Sequence, residues 1–396
     1  VLFRSEINDA VNSAPVVKLV NSMIDYAIRA GSSDIHIEPL EERVRVRIRI
    51  DGVMQEVMSN PLSARDAITT RIKILGGMNI AEKRIPQDGR ITTEINGEPV
   101  DMRVSILPTV TGEKTVIRIL AKNDANLNRK WLGISDHNND LINKIIKVPQ
   151  GICLISGPTG SGKTTTLYTL LAEKNTPEVN IITVEDPVEI KIPGLNQVQV
   201  NSKAGMTFAS GLRSILRQDP DIILVGEIRD GETAEIAMRA AITGHLVFST
   251  IHTNDAVSSI NRLIDMGLEP YMVCSALVGV VSQRLVRRIC TNCRESYEPG
   301  EDDKALLRLE EGQKIYHGKG CSECNESGYK GRIAIHEIVV MTRAMKVLIE
   351  KRASEEEMRQ LAVQEGTQML QDSARALVLE GITTVYELNR VAYTID

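Results

Sequence analysis

The sequence predicts an α/β protein in which a small α/β domain precedes a larger domain built on a mainly parallel sheet. Two patterns carry this prediction. Short apolar runs at 151–156, 180–184, 221–225 and 245–250 alternate with helical stretches, which is typical of parallel strands with helices on both faces. A separate α/β pattern covers 6–121. The chain has 396 residues, enough for two or three domains.

The predicted first domain begins with an amphipathic helix and continues with a strand of strict alternation. Apolar residues recur at helical spacing over 16–28, and Gly31 ends the helix. The run Arg43–Ile50 alternates arginine with an apolar residue, which predicts a strand with one arginine face. Further strands are predicted at 53–57, 100–105 and 114–120, with a second helix over 63–75.

Changes in composition divide the rest of the chain. The polar segment 122–130, with its repeated Asn and Asp, is predicted to be a linker. The larger domain is expected over 131–289, a tetracysteine module over 290–325, and a helical region over 326–396. The chain opens with Val1 rather than Met, so its N-terminus is expected to be incomplete, and residues 1–5 are left out of the fold prediction.

Composition disfavours two classes of protein. The formal net charge is −5, which argues against a nonspecific polyanion binder, and aromatic residues make up only 3%, which leaves few stacking platforms for single-stranded nucleic acid. No apolar run approaches the ~18–20 residues that cross a bilayer. No signal segment is present, so we expect no direct membrane insertion, and any membrane link is expected to go through partners.

The most specific motif is a phosphate-binding loop. Residues 157–164 read Gly-Pro-Thr-Gly-Ser-Gly-Lys-Thr and follow the pattern G-x-x-x-x-G-K-T/S between an apolar strand and a helix. Backbone N–H groups of such a loop surround phosphate oxygens, and the helix N-terminus adds partial positive charge. Lys163 is expected to reach the β- and γ-phosphates, and Thr164 to bind Mg²⁺. The predicted nucleotide-binding residues are Gly157, Pro158, Thr159, Gly160, Ser161, Gly162, Lys163, Thr164 and Thr165.

Three more polar residues follow strands of the same predicted sheet. Glu227 follows the run 221–225, where P-loop enzymes place an acid that acts on Mg²⁺ or the attacking water. Glu185 and His252 follow two other runs, and ligands of open α/β sheets collect at the carboxyl ends of strands. We expect these residues near the γ-phosphate. The plainer alternatives are a solvated strand end, a proline-marked turn and a loop histidine.

Two Cys-x-x-Cys pairs predict a metal site. Cys290 and Cys293 form the first pair, Cys321 and Cys324 the second, and together they fit a four-thiolate tetrahedral Zn²⁺ site. The gap between the pairs exceeds the common ~15–20 residues. A redox pair is the alternative, but it does not explain why two pairs are present. Four thiolates leave no open coordination position, so a structural role is expected.

Taken in order, these motifs resemble the secretion ATPase superfamily, specifically the motors of type II secretion and type IV pilus assembly. The resemblance covers nearly the whole chain. Four family boxes are recognisable: the Walker A box at 157–164, the Asp box at 183–189, an atypical Walker B box at 221–230, and the His box at 243–255.

This resemblance implies a ring hexamer in which a PAS-like N-terminal domain and a RecA-like ATPase domain are joined by a mobile linker. It implies that Glu227 is the Walker B acid, Glu185 the Asp-box acid near the hydrolytic centre, and His252 a γ-phosphate sensor. It also implies that N-terminal arginines approach a nucleotide, and the pattern over 47–52 favours Arg49 as an arginine finger. A solvated strand face is the plainer reading of the arginine stripe.

The function implied is a hexameric ATPase, with ATP, Mg²⁺ and Zn²⁺ as cofactors, that powers assembly of a type II secretion pseudopilus or a type IV pilus. Its implied partners are an inner-membrane platform and cytoplasmic membrane-anchor proteins, with no nucleic acid. The implied location is cytoplasmic and peripheral at the inner face of the cytoplasmic membrane. The tetracysteine module favours assembly or secretion motors over retraction motors, and the family's membrane-docking amino-terminal domain is expected to be missing. A nucleic-acid translocase or helicase on the same core is the alternative.

Overall fold

The computed structural model describes residues 14–95, 97–120 and 127–392. The chain divides into two compact units, Val1–Ala125 and Asn126–Asp396, and each is described by itself. Residues 1–5 and the first part of the predicted linker 122–130 lie outside the described residues. The last part of that predicted linker joins a short 3₁₀ turn at Arg129–Trp131, where Arg129 pairs with Glu173 at 2.7 Å.

The described part of the first unit is a six-stranded antiparallel sheet with two α-helices. The strand order is β3-β2-β1-β6-β5-β4. In chain order the elements are α1 (Ala14–Arg29), β1 (Asp34–Pro39), β2 (Arg43–Ile50), β3 (Val53–Pro61), α2 (Arg65–Leu75), β4 (Gln87–Ile95), β5 (Glu98–Thr109) and β6 (Gly112–Ile119).

The alternation of β2 explains how this unit forms its core. Val44, Val46 and Ile48 are buried in one cluster with Ile68 and Ile72 of α2. Burying a side chain of this size stabilises the fold by about 1.5–3 kcal/mol. The predicted helix over 16–28 and the predicted strand Arg43–Ile50 are confirmed. Strands β1 and β4 were not predicted, because neither shows a long alternation of its own.

The second unit contains a seven-stranded sheet in the order β15-β12-β7-β11-β10-β8-β9, in which the edge strand β15 is Tyr329–Val340. All neighbouring pairs from β12 to β9 are parallel, and β15 is antiparallel to β12. The elements through this sheet are α3 (Asp136–Ile146), β7 (Gly151–Ser156), α4 (Lys163–Lys174), β8 (Ile181–Glu185), β9 (Asn196–Gln199), α5 (Phe208–Ile215), β10 (Ile222–Val225), α6 (Gly231–Ile242), β11 (Leu246–Ile251), α7 (Ala256–Asp265), α8 (Pro270–Ala276) and β12 (Leu277–Ile289).

The mainly parallel sheet predicted from the sequence is confirmed. Strands β7, β8, β10 and β11 each lie within a residue of the four apolar runs that predict them. They are buried along their whole length and share one core with the helices around them. Because their carboxyl ends meet at one edge of the sheet, the loops that follow them are brought together.

One prediction for this unit is wrong. The sequence predicts a helical region over 326–396, but its first part is β15 (Tyr329–Val340), an edge strand paired with β12. Both strands are buried on two faces over much of their length, so they lack the alternation that identifies a strand. The helices follow only after this strand: α10 (Arg343–Glu350), α11 (Glu355–Gln364), α12 (Leu370–Leu379) and α13 (Val385–Ala392).

Between β12 and β15 lies the cysteine-containing element. It runs from Cys290 to Cys324 and contains β13 (Arg294–Tyr297), α9 (Glu301–Leu307), β14 (Ile315–Gly318) and a 3₁₀ turn at Ser322–Cys324, with β13 and β14 paired antiparallel. Leu307 and Ile315 share a small core with α12 and α13, which attaches this element to the C-terminal helices. Across the described parts of the chain, no helix combines the length and apolar character needed to span a membrane.

Candidate nucleotide and metal sites

The phosphate-binding loop connects β7 to α4. Gly157 has φ +140°, and a Cβ atom there would lie 2.4 Å from the Gln283 carbonyl oxygen, so the neighbouring strand leaves room only for glycine. Pro158, Thr159 and Gly160 are exposed at the crest of the loop, and Thr164 and Thr165 are exposed on the first turn of α4. The loop therefore presents an open backbone concavity at a helix N-terminus, which is the geometry that accepts phosphate.

The Lys163 side chain folds back over the phosphate-binding loop. Its Nζ atom donates hydrogen bonds to the carbonyl oxygens of Gly157 at 2.7 Å and Pro158 at 2.9 Å. Burial and, to a smaller extent, Arg284 lower the pKa of Lys163 to about 8, while Glu227 opposes the shift. An ammonium group held in this way gains from a phosphate that replaces the two carbonyl groups, because the anion offsets its desolvation.

Glu227 and His252 meet at the ends of adjacent strands β10 and β11. Glu227 pairs with Arg229 at 2.6 Å through Oε1 and lies 3.7 Å from His252 Nε2 through Oε2. Burial, Lys163 and Arg229 lower the pKa of His252 below its usual 6.5, although Glu227 opposes them. His252 is therefore mainly neutral at pH 7. The structure brings Lys163, Glu227 and His252 into one site.

Glu185 is also at this edge, but its carboxylate points into a hydrogen-bonded pocket. Oε2 accepts a very short hydrogen bond from Tyr168, while Oε1 accepts from Thr183 at 2.5 Å and Gln197 at 3.3 Å. Burial and the Glu185 carboxylate raise the pKa of Tyr168. Among the described residues, the structure gives no hydrogen bond from Glu185 to the other predicted site residues.

The arginine face of β2 is largely neutralised within the first unit. Arg45 and Arg47 both pair with Glu38, at 3.0 and 2.8 Å. Burial opposes ionisation of Glu38, yet hydrogen bonds from Arg47 and Lys114 hold its pKa at about 2. Arg49 differs, because its Nε atom lies 3.7 Å from Asp34 and its Nη1 atom donates to the Gly52 carbonyl. The repulsion within the stripe therefore needs no outside anion.

A second group of arginines crosses the same sheet, and the sequence analysis missed it. Arg90 is opposite Arg103, and Arg103 is opposite Arg118, on β4, β5 and β6. Arg103 and Arg118 line a cavity of about 350 Å³. Like charges on directly opposite residues destabilise a sheet, but Arg118 pairs with Asp34 at 3.0 Å, so part of the charge of this row is neutralised within the first unit. The signal lies in strand register, which one-dimensional patterns do not contain.

The four cysteine sulfur atoms form one cluster. All four Sγ atoms lie within 4.8 Å of one another. The distances are 3.8 Å for Cys290–Cys321 and for Cys293–Cys324, and 3.7 Å for Cys321–Cys324. A tetrahedral Zn²⁺ about 2.3 Å from each sulfur would separate the sulfur atoms by about 3.8 Å, so the four cysteines fit this ion.

Neighbouring N–H groups and glycines support this cluster. The Asn292 amide donates to Cys321 Sγ at 3.3 Å and lowers the pKa of that thiol to about 6, against a burial effect in the other direction. The Gly328 N–H donates to Cys324 Sγ at 3.2 Å. A Cβ atom on Gly318 would lie 2.1 Å from the Gly328 carbonyl oxygen, so the segments that carry Gly318 and Gly328 can approach this closely only because glycine has no side chain. Such donors favour thiolates, the form that binds metal.

Comparison with known proteins settles the family. A family model described as "Type II/IV secretion system protein" matches residues 9–390. This chain belongs to that family. It is 48% identical over 382 residues to type II secretion system protein E of Pseudomonas aeruginosa, covering 96% of this chain and 76% of that protein. It is 46% identical over 390 residues to the type IV pilus assembly ATPase PilB of Myxococcus xanthus, covering 97% and 69%.

A solved structure gives the same result for the fold. The pilus retraction motor PilT with bound ADP superposes with a TM-score of 0.63 at 26% identity, covering 93% of this chain and 95% of that one. The predicted RecA-like architecture and the predicted secretion ATPase resemblance are both confirmed. Because the family is one of ATPases and the phosphate-binding loop is intact, this member of the secretion family is an ATPase.

Gln283 of β12 is a site residue that the sequence analysis missed. Its Nε2 atom donates to the Ser161 carbonyl oxygen at 2.7 Å, and its Oε1 atom accepts from Thr166 at 2.7 Å. This buried amide ties the phosphate-binding loop of the secretion ATPase to the first turn of α4. The available signal was a glutamine inside an apolar strand, since a buried amide needs hydrogen-bond partners.

Proposed function

We propose that this secretion-family ATPase works as a homohexameric motor that converts ATP hydrolysis into assembly of a type II secretion pseudopilus or a type IV pilus. It acts on an inner-membrane platform and on cytoplasmic membrane-anchor proteins, from the cytoplasmic face of the membrane. Membership of the family and its relatives in type II secretion and type IV pilus assembly support this proposal.

The observation that carries the proposed chemistry is the convergence of Lys163, Glu227 and His252. Lys163 and Glu227 interact electrostatically, and Glu227 lies 3.7 Å from His252. One cation, one carboxylate and one mainly neutral imidazole then surround the place where the terminal phosphate of a nucleotide on this loop would sit. P-loop hydrolases use such groups to position water and to neutralise charge in the transition state.

Each residue has a distinct role in this proposal. Backbone N–H groups of the phosphate-binding loop, other than Pro158, and the Lys163 ammonium bind the phosphates, while Thr164 and Glu227 would hold Mg²⁺, which neutralises phosphate charge when bound. Glu227 also orients the attacking water. Water adds to the γ-phosphorus, the bond to the ADP oxygen breaks, and the water proton leaves to the carboxylate or the released phosphate. His252 contacts the γ-phosphate through a ring N–H group.

Glu185 acts near this centre in the proposal. A Cβ atom on Gly226 would lie 3.3 Å from Glu185 Cα, so the Glu185 backbone packs closely against the residue before Glu227. Tyr168, Thr183 and Gln197 hold the Glu185 carboxylate in one orientation. A carboxylate held by three donors has a fixed orientation, which suits the positioning of water or of Mg²⁺.

The first unit supplies an arginine in the proposal. Arg49 is the proposed arginine finger, because its ion pair with Asp34 is longer than the pairs of Arg43, Arg45 and Arg47. In P-loop enzymes an arginine finger contributes about 10³–10⁵-fold to turnover.

The cysteine cluster is proposed to hold one structural Zn²⁺. The four sulfur atoms are spaced for tetrahedral coordination, and Cys290, Cys293 and Cys324 are buried. Four thiolates occupy every position of the ion, so it would stabilise the element between β12 and β15 and take no part in hydrolysis.

The proposal is tested by steady-state ATP turnover measured together with oligomer mass, with and without Mg²⁺ and DNA. We expect slow, Mg²⁺-dependent turnover that rises as hexamers form and does not respond to DNA. Strong stimulation by DNA would contradict the secretion motor and favour a translocase. Turnover that is independent of assembly would contradict the ring.

A further inference from the structure

Three ionisable side chains hold consecutive positions at the end of the loop that carries His252 and the start of the helix that follows it. Arg284 and Glu337 are buried, and Arg359 is partly exposed. This His252 loop, residues 252–255, connects β11 to α7. Arg284 of β12 donates through Nη2 to the Asn254 carbonyl at 2.9 Å. Arg359 of α11 donates to Asp255 Oδ2 at 3.1 Å, and Glu337 of β15 accepts from the backbone N–H of the next residue, Ala256, at 2.9 Å.

Arg284 stands out among these three side chains. The residue is only 6% exposed, and its Nε and Nη1 atoms are buried without a hydrogen-bond partner in the part of the chain that the structure describes. A buried charge destabilises the fold unless it is well paired, and each unsatisfied buried donor adds to that cost. An apolar side chain would fill the same position in the sheet without this cost.

The charges around Arg284 place it between the loop and the phosphate site. Asp255 and Glu337 attract its guanidinium group, which offsets part of its burial. On the other side, Arg284 is close enough to Lys163 to lower the pKa of that ammonium group. Its hydrogen bond to Asn254 therefore connects β12, the neighbour of strand β7 that precedes the phosphate-binding loop, to the loop that carries His252.

We propose that Arg284 is a positioning residue for ATP hydrolysis: by holding the Asn254 carbonyl, it fixes the His252 loop so that the imidazole stays beside Glu227. This inference rests on the proposed role of His252. It assigns Arg284 no contact with the nucleotide, so its removal should spare binding to the phosphate-binding loop and lower the rate of hydrolysis.

The test compares Arg284→Met, Arg284→Lys and the exposed control Arg288→Met on the same strand, in the full chain. We expect Arg284→Met to lower kcat about 10- to 100-fold, the scale of a small misplacement of a catalytic group. Its affinity for ADP, measured with a fluorescent ADP analogue, should stay within about twofold of wild type. Arg284→Lys keeps the charge and one donor and should recover most of kcat, and Arg288→Met should match wild type.

A double-mutant cycle with His252→Ala separates positioning from a general structural role. If Arg284 acts through His252, Arg284→Met should change kcat little once His252 is already alanine, because coupled residues are not additive. Additive losses, or an unchanged kcat in Arg284→Met, would overturn this inference alone. An unchanged kcat in His252→Ala would overturn the proposed role of His252 as well. If Arg284→Met does not fold, Arg284→Gln takes its place in the cycle, with the same outcomes.

Discussion

The imidazole Nε2 atom of His252 lies 3.7 Å from Glu227 Oε2, across the gap between the ends of two adjacent parallel strands. Glu227 is held from its other oxygen by Arg229 at 2.6 Å. Lys163 is close enough to both groups to interact with them electrostatically. It lowers the pKa of His252, and Glu227 raises the pKa of Lys163. Because the charge of each group affects the others, nucleotide binding at Lys163 should change the pKa of His252.

Nucleotide binding should take up a proton at alkaline pH. The pKa of Lys163 is about 8 in the free protein, so the amine is increasingly neutral above pH 8. Bound phosphates favour the ammonium form and raise this pKa, so uptake is expected from about pH 8 to 10 and should vanish below about pH 7. Calorimetry in buffers of different ionisation enthalpy measures it.

Lys163→Ala is the matched variant for this measurement. It should lose both the proton uptake and most of the nucleotide affinity, because its ammonium group is the cation closest to the loop carbonyls. Proton uptake that persists in this variant would assign the titrating group elsewhere.

Glu227→Gln should separate binding from hydrolysis. The amide keeps the shape of the side chain but removes its charge, so ATP should still bind while kcat falls about 10²–10⁴-fold, the range for loss of a positioned acid–base group. Single-turnover measurements of phosphate release check this. Glu232→Gln is a suitable control, because its partner Arg213 lies on the exposed surface. Wild-type kcat in Glu227→Gln would rule out its catalytic role.

Arg49→Ala should lower turnover only where rings assemble. Arg43→Ala is the matched control, since Arg43 belongs to the same strand and pairs with Glu56 at 2.8 Å. The measurement is ATP turnover across a range of protein concentrations with oligomer mass followed in parallel. An equal loss in monomers and rings would contradict action between subunits, and equal effects of the two substitutions would leave Arg49 no special role.

The cysteine element should depend on metal for its stability and not for its chemistry. One Zn²⁺ per chain is expected by elemental analysis, and Cys324→Ser should lower both the zinc content and the melting temperature. Turnover per folded chain should stay near wild type below that temperature. A full complement of zinc in Cys324→Ser would exclude the four-sulfur site.

The buried pair Lys73–Glu113 should be important for the first unit. Lys73 Nζ lies 2.7 Å from Glu113 and donates to the Glu82 carbonyl, and the Lys73 side chain is 1% exposed. Glu113→Ala leaves a buried ammonium group without its carboxylate, so we expect a loss of about 3–5 kcal/mol in the free energy of unfolding. Urea unfolding measures it, with exposed Glu94→Ala expected to change stability by no more than about 0.5 kcal/mol.

The sequence predicts those parts of the molecule that a short stretch of sequence is enough to identify. The phosphate-binding loop, the four buried parallel strands and the cysteine pairs are each contained in short patterns, and the structure has them at the predicted positions. Gln283, Arg284 and the row from Arg90 to Arg118 depend instead on which strands become neighbours. Strand β15 went unrecognised for a related reason, because burial on both faces removes its alternation.

We expect this secretion ATPase to hydrolyse ATP as a coupled ring, and mixing active with inactive subunits measures that coupling. Wild-type chains are combined with increasing fractions of Glu227→Gln chains at constant total concentration, and steady-state ATP turnover is followed. Coupling between subunits predicts that turnover falls more steeply than the wild-type fraction, because one inactive subunit stalls its neighbours. A fall in direct proportion to the wild-type fraction would show that the subunits act independently and would contradict a coupled ring.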